Sequence, residues 1–420
     1  MRTVDDLRTT ARLLFDAAVK AADPAAAVQR GFAETPPPSP KTGGRTIVIA
    51  VGKAAPAMLR AAMERLPKVD VALAVTHHEN MALVPGAEVL RAGHPVPDEA
   101  GAAAADCVIE LLETATENDV VVALISGGGS ALLPAPPEGV SLAEKATLND
   151  HLLAGGLDIV EMNMIRQQVS RLKGGGFSRL AAPAPVYAYL LSDVIGDDLR
   201  AIASGPTVSP IGTPETAINS LKNAHLWDRV PPSIQVHLET AQPAGAVESK
   251  SQNTLCGSNR LSLEAMRDAA RSMGLPATIV SDHLTGDVAD AADKIVGQIK
   301  DVPAPAALLF GGETTVKLTG TGLGGRNQEL ALRVAMAAPK LDGQWVFLSG
   351  GTDGRDGPTD AAGGLVDANT SQRIEDAGEN AQALLANNDS HAALKAAGDL
   401  LITQATGTNV ADVQVLLIAP

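Results

Sequence analysis

The sequence predicts an α/β protein built as two three-layer domains, each a sheet with helices on both faces. Three observations carry this. Short apolar runs of strand length alternate with helical patterns through both halves, and many of the runs end in glycine-rich turns. Aromatic residues make up only 2% of the chain while alanine, valine and leucine are plentiful, which suits layered helix and strand packing better than a sandwich. A chain of 420 residues also exceeds what one hydrophobic core usually serves, so two domains are expected.

In chain order, Leu7, Leu13, Leu14, Phe15, Ala18 and Val19 recur at helical spacing and predict an opening helix over 4–31, followed by a linker from Pro36 to Pro40. Thr46 to Val51 read as a buried strand that runs into Gly52-Lys53-Ala54-Ala55 and a helix through about Leu66. Val71 to Val75 give a second strand, and a stiff loop from Gly93 to Gly101 precedes an alanine-rich helix ending near Ala115. The strongest strand is 119–125, whose unbroken apolar run from Val120 to Ile125 is closed by Ser126-Gly127-Gly128-Gly129-Ser130. Such a run belongs to a central parallel strand, because helices cover both its faces. A helix over 156–171 is expected to stop at Lys173 and the glycines 174–176, and Val186 to Leu191 form a strand capped by Ser192-Asp193. Proline-rich and polar sequence at 231–252 marks the boundary between an N-terminal domain, 1–240, and a C-terminal domain, 241–420. Beyond it, strands at 253–256, 277–281, 306–310 and 345–349 alternate with helices at 260–273 and 287–300. The alternating residues 314–319 read as a half-exposed strand before a glycine loop, 320–325, and a helix opening at Arg326. Two short helices and a last pair of strands complete the chain.

The formal net charge of −15 disfavours nucleic acid and anionic membranes as partners, so an anionic ligand must be held by a few local cations in a cleft. Cys107 and Cys256 are the only cysteines, too few for a disulfide framework or a structural zinc site, and both are expected to be buried and inert. There is no secretion signal and no uninterrupted apolar run of about 18 residues. A cytoplasmic protein acting on small molecules, monomeric or homodimeric, is expected.

Glycine-rich loops, single cations beside them and carboxylates recur at strand ends. Phosphoryl transfer calls for all three, because the transferring group carries spread negative charge and the protein contributes mainly positioning and electrostatic stabilisation. The loop 126–130 offers backbone N–H donors and two hydroxyls to a phosphate or carboxylate, although a glycine triplet alone is more often a simple turn. Lys53 stands where a strand gives way to a helix N-terminus, as an anion contact or as a solvated surface lysine. Arg326 lies in the first turn of its helix, where a cation opposes the dipole. Asp193 directly follows a buried strand and suits a metal ligand or an acceptor of a hydroxyl proton.

Other motifs argue against other chemistries. The loop with Asp353, Asp356 and Asp360 lacks the spacing of an EF-hand, which leaves Mg²⁺ with nucleotide or a metal-free turn. His77, His78 and His94 lack zinc spacing and read as turn or core residues. There is no G-x-S-x-G elbow, and Gly52-Lys53 lacks the rest of a P-loop. Gly320-Thr321-Gly322-Leu323-Gly324-Gly325 satisfies G-x-G-x-x-G, but its strand alternates and the acid about 20 residues on, Asp342, precedes a strand where a dinucleotide site has it at a strand end.

Taken together these segments resemble the glycerate 2-kinase family with a MOFRL-type C-terminal domain, some members of which are labelled hydroxypyruvate reductase. The resemblance runs through nearly the whole chain: Gly52-Lys53-Ala54-Ala55, Gly93 to Asp98, Ser126 to Ser130, Asn163 to Gly176, Ser192-Asp193-Val194 and Ser204 to Thr207. It continues with Gly324 to Glu329, Thr352-Asp353-Gly354, Gly357 to Asp360 and Gly407 to Val410. One loop departs from the family pattern, Thr76-His77-His78-Glu79-Asn80. The resemblance implies a Rossmann-like N-terminal domain with a mainly parallel sheet, a C-terminal domain whose MOFRL-type region spans about 305–415, and an active-site cleft between them. It implies transfer of the γ-phosphoryl group of ATP, with Mg²⁺, to D-glycerate, giving 2-phosphoglycerate. The family's cleft cations fall on Lys53 and Arg326, with Asp193 as the third catalytic candidate. Phosphate or substrate contacts are assigned to Ser126, Gly127, Gly128, Gly129, Ser130, Arg166, Lys173, Ser204, Gly205, Asn259, Glu313, Gln328 and Glu329, and metal contacts to Asp193, Asp353 and Asp356. Arg166 and Lys173 are expected on one face of a common helix. A reductase using NAD(P)H on hydroxypyruvate and a non-catalytic binder of organic acids are the alternatives.

Overall fold

The computed structural model describes residues 3–245, 251–299, 302–340 and 343–420. Asp342 and part of the 231–252 boundary stretch lie outside the described residues. The chain forms two compact units. One comprises Ala27–Ser192 and Asp197–Cys256; the other takes the chain up to Ala26, the short excursion Asp193–Gly196, and Gly257–Pro420. Where the sequence suggests a division after residue 240, the units divide at Cys256 and Gly257, and the opening helix packs with the C-terminal unit.

The first unit holds strands β1 (Thr46–Val51), β2 (Val71–His77), β3 (Glu88–Ala92), β4 (Val120–Ser126), β5 (Val186–Leu191) and β6 (Ser251–Gly257), in the sheet order β3-β2-β1-β4-β5-β6. The strands from β3 to β5 are parallel. β1 and β4 are buried along their whole length, as their unbroken apolar sequences require of central strands. They pair in register up to Val51 and Ile125, so both chains leave the sheet side by side. Four helices, Leu142–Ala154, Ile159–Gln168, Pro214–Asn223 and Pro232–Thr240, pack around a separate apolar cluster that includes Leu148, Leu152, Ile165 and Val169.

The second unit holds β7 (Ala277–Asp287), β8 (Ala306–Thr315), β9 (Gln344–Gly351), β10 (Gly363–Asp367), β11 (Leu400–Leu401) and β12 (Asp412–Ala419), ordered β11-β10-β9-β12-β8-β7. Only β7 and β8 are parallel; the other pairs are antiparallel. Alternate strand residues serve opposite layers. Leu309, Leu348, Val413 and Val415 join the core made with the apolar faces of helices Val4–Ala21 and Asn259–Ser272. Leu308, Phe310, Phe347 and Leu416 join the core made with helices Val288–Ile299 and Arg326–Ala337. The three-layer expectation is met here by period-two alternation across a mixed sheet.

Several local expectations are corrected. The opening helix is two, Val4–Ala21 and Pro24–Glu34, because Pro24 starts a new helix where it cannot continue the old one. The helix expected over 156–171 ends at Gln168, and β3 and helix Leu142–Ala154 were not foreseen. β8 continues to Thr315 and residues 316–319 are irregular, and three short helices, not two, precede the last strands. Cys107 is exposed while Cys256 is buried. Among the described residues no helix is long and apolar enough to cross a membrane.

At the exit of β1, Gly52 has φ of +125°, and a Cβ there would lie 2.2 Å from Ser126 Oγ and 2.5 Å from the Ser126 carbonyl oxygen. Gly52→Ala is therefore expected to lower the unfolding free energy by about 2 kcal/mol or more. Urea denaturation measures this, and an unchanged midpoint would contradict the close approach.

Candidate active site

In the first unit the closeness of the two strand ends fixes the loop between Ser126 and Ser130. The Lys53 N–H donates to the Gly127 carbonyl at 2.9 Å, and the Ala54 N–H donates to the Ser126 hydroxyl at 3.2 Å. Ser126 is buried and its hydroxyl stitches the two strand exits together, which is a structural use of a residue assigned to ligand binding. Gly128 takes the left-handed conformation (φ +87°), and a Cβ there would meet His94 Cδ2 at 3.0 Å and Lys53 Cγ at 3.2 Å. Lys53 is exposed and His94 half-buried. Burial, followed by the Lys53 charge, lowers the His94 pKa, and burial with Lys53 among its charged neighbours lowers that of His77. The segment 76–80 also supports this lysine: the Thr76 hydroxyl and the Asn80 side-chain amide both donate to the Lys53 carbonyl. His94, read from sequence as a turn residue, thus belongs to the Lys53 loop.

Ser130 shares a 2.7 Å hydrogen bond with Ser204. Ala203 and Ser204 are non-glycine residues with positive φ, 48° and 60°, a strained pair held by the Gln167 amide and the Gly174 N–H, which both donate to the Ser204 carbonyl. The Gly205 carbonyl accepts from the Gly175 N–H at 2.8 Å. The Lys173 ammonium donates to the Ser130 carbonyl at 2.9 Å. Arg166 and Lys173 do not share a helix, since the helix ends at Gln168, yet both line one cavity of about 250 Å³ with Lys145. Lys145 was not among the sequence candidates, because a single lysine carries no signal until its burial is seen.

In the second unit, Arg326 is held by two carboxylates. It makes a two-pronged pair with the buried Asp412 at 2.6 and 3.1 Å, and a second pair with Glu313 at 2.7 Å. Burial opposes its charge, but Asp412 and Glu313 outweigh that and raise its pKa. Asp412 was missed, although it lies two residues beyond the Gly407 to Val410 segment. Asn259 donates to the Val410 and Asp412 carbonyls at 2.9 and 2.8 Å. Its side-chain oxygen is buried without a partner.

Asp356, a candidate metal ligand, has both carboxylate oxygens in use: Oδ1 accepts from the Asn327 N–H and Oδ2 from the Gln328 N–H and side chain. It caps the helix that begins at Arg326, where a negative charge is favourable, although burial raises its pKa. Gln328 is held by Asp356 and Thr359, and Glu329 by Arg333 and Asn388, so both read as parts of the fold. Asp353 is exposed, with Oδ1 accepting the Arg355 N–H. Asp193 groups with this unit. No cluster of three or more His, Cys, Asp or Glu side chains suited to a metal occurs among the described residues.

Comparison with known proteins follows this geometry. Residues 10–239 match a domain of unknown function (DUF4147), and residues 306–412 match the MOFRL family. A Thermotoga maritima protein named D-glycerate 2-kinase is 41% identical over 383 residues, covering 89% of this chain and 91% of its own. An Agrobacterium vitis protein named putative hydroxypyruvate reductase is 39% identical, covering 98% and 94%. The crystal structure of a glycerate kinase from Thermotoga maritima superposes with a TM-score of 0.91 at 38% identity, covering 99% of this chain and all of that one.

The buried cations set a pH dependence. Burial, with Arg166 nearby, lowers the Lys173 pKa to about 7, and burial with Lys173 and Arg166 lowers that of Lys145 well below its usual value. The unfolded chain then binds more protons than the folded one between about pH 7 and pH 10.5, the ordinary value of a lysine, so stability rises with pH across that window. Urea denaturation of ligand-free protein at pH 7 and pH 9.5 should show this rise, flattened in Lys173→Met; an identical slope in the variant would contradict it.

Proposed function

The chain belongs to the glycerate 2-kinase family, and from that premise we propose that it transfers the γ-phosphoryl group of ATP to the 2-hydroxyl of D-glycerate, giving 2-phosphoglycerate and ADP. The observation that carries the reading is the exposed Lys53 set over the left-handed Gly128 in a loop at the end of two central parallel strands. Ligands in such sheets sit at the carboxyl ends of the strands, and a glycine loop with one cation is suited to a phosphoryl group.

In this reading the glycerate hydroxyl oxygen attacks the γ-phosphorus, the bond from that phosphorus to the bridging oxygen breaks, and ADP leaves. We assign the hydroxyl proton to Asp193. Lys53 neutralises charge on the transferring group, and the backbone N–H groups of Gly128 and Gly129, with the Ser130 hydroxyl, serve as donors. Arg326 enters as a cation whose charge is already shared with Asp412 and Glu313, so it orients more than it neutralises. Mg²⁺ chelated by ATP needs only one or two protein carboxylates, and we assign one to Asp353, with Asp193 as a metal ligand the alternative to its role as proton acceptor, since the Asp356 oxygens cap a helix. The supply of ATP suits a cytoplasmic location.

The name putative hydroxypyruvate reductase, borne by two relatives, favours a second reading, but the glycines of 320–325 serve packing. A Cβ at Gly320 would lie 2.3 Å from the Asn387 carbonyl oxygen, one at Gly322 would lie 2.4 Å from Asp389 Cβ, and one at Gly324 would lie 2.2 Å from Ser390 Oγ. A loop pressed against 387–390 in this way is poorly placed to cradle a dinucleotide.

The kinase reading predicts ADP release that requires D-glycerate, with Lys53→Ala reducing kcat/KM by about 100-fold or more while the fold persists. NADH oxidation by hydroxypyruvate without glycerate-dependent ADP release would replace it with the reductase. Arg326→Ala is expected to cost about 3 kcal/mol of stability, because it strands the buried Asp412 carboxylate. A thermal unfolding midpoint equal to wild type would contradict that role.

A further inference from the structure

The cavity beside Ser130 in the first unit gathers positive charge without carboxylate partners. Lys145, Arg166 and Lys173 all line it, and the two lysines are 9% and 6% exposed. Every hydrogen bond shown for these three side chains goes to a neutral oxygen. Lys145 donates to the Pro134 and Val169 carbonyls, Lys173 to the Ser130 carbonyl, and Arg166 to the Asn149 side-chain oxygen. An ammonium has three donors and a guanidinium five, so each group keeps N–H bonds beyond those used. Asp150 is the one carboxylate among the lining residues; it is exposed, and no ion pair joins it to the three cations. Buried charges are ordinarily paired. Arg326 on Asp412 and Arg373 on Asp367 and Asp399 follow that rule.

We propose that this cavity is the acceptor pocket, in which Lys145, Arg166 and Lys173 hold the carboxylate of a small three-carbon hydroxy acid while the prolines and leucines that also line it exclude water. The identity of the acid rests on the kinase reading; the anionic character of the pocket does not. Its volume of about 250 Å³ accommodates glycerate or its phosphate ester. Lys173 also touches the glycine loop through the Ser130 carbonyl, which links acceptor binding to the loop assigned to the phosphoryl group. The anion supplies the charge that the fold withholds from these three side chains. Because burial keeps the lysines prone to lose their protons, binding draws protons back onto them.

Isothermal titration calorimetry of the intact protein tests this, with D-glycerate, inorganic phosphate and MgATP as separate titrants in two buffers of different ionisation enthalpy near pH 7.5. The expected result is D-glycerate binding with net proton uptake, weakened about ten-fold or more in Arg166→Gln and Lys145→Met, with MgATP affinity unchanged. Circular dichroism establishes that the variants are folded, and the proton count is taken on wild type, so it stands even where a variant fails to fold. Phosphate binding with D-glycerate excluded would overturn the carboxylate assignment. Loss of MgATP affinity alone would move the pocket to the nucleotide, and glycerate binding without proton uptake or without response to either variant would equally overturn the proposal. Glycerate binding as expected in a protein that transfers no phosphoryl group would leave the pocket assigned and remove the kinase reading.

Discussion

Strands β1 and β4 leave their sheet so close together that no side chain fits at position 52. A bare glycine and a buried serine hydroxyl fill the space, and the geometry of the first unit's loop follows from that contact. With Lys53 N–H bonded to the Gly127 carbonyl, the lysine is fixed beside the left-handed Gly128, and His94 comes against the same residue. The loop then returns through Ser130 to Ser204 and Lys173, so the strained Ala203-Ser204 turn and the buried cations are reached in two further hydrogen bonds. A backbone constraint at one residue thereby sets the position of several polar side chains.

The molecule handles buried cations in two ways. Arg326, Arg8 and Arg373 are matched to carboxylates that are almost fully buried, which makes their charge part of the fold. Lys145, Arg166 and Lys173 are given only carbonyl and amide oxygens, which orient them without cancelling them. In a chain of net charge −15 this second arrangement gathers three basic groups in one place, ready to take up protons with an anion. The cost falls on the ligand-free protein, where desolvation opposes each charge, and an arriving anion relieves it.

Much of the fold was legible because its signals are local. The unbroken run of β4 and its glycine loop identify a central parallel strand, and period-two alternation with intervening helical patterns identifies layers in the C-terminal half. β3 escaped notice because Glu88 and Arg91 interrupt its apolar residues, and the helix at 142–154 because its apolar stripe is weak and serves a side cluster rather than a sheet. The candidates legible in the sequence are those beside glycine loops, as Lys53, Ser130 and Arg326 are. The site was not legible where chemistry depends on a distant partner. Nothing near Arg326 in sequence announces Asp412, 86 residues away, and nothing near Lys145 announces that the Pro134 and Val169 carbonyls accept its hydrogen bonds. Asp356 shows the reverse: an acidic loop looks like a metal site until the helix N-terminus it caps is seen.

The account centres on phosphoryl transfer to one hydroxyl of a three-carbon acid. Phosphorus NMR of the products formed from ATP, Mg²⁺ and D-glycerate tests it most directly. The predicted spectrum shows ADP together with the resonance of 2-phosphoglycerate; a 3-phosphoglycerate resonance, or ATP left unconsumed, would contradict it.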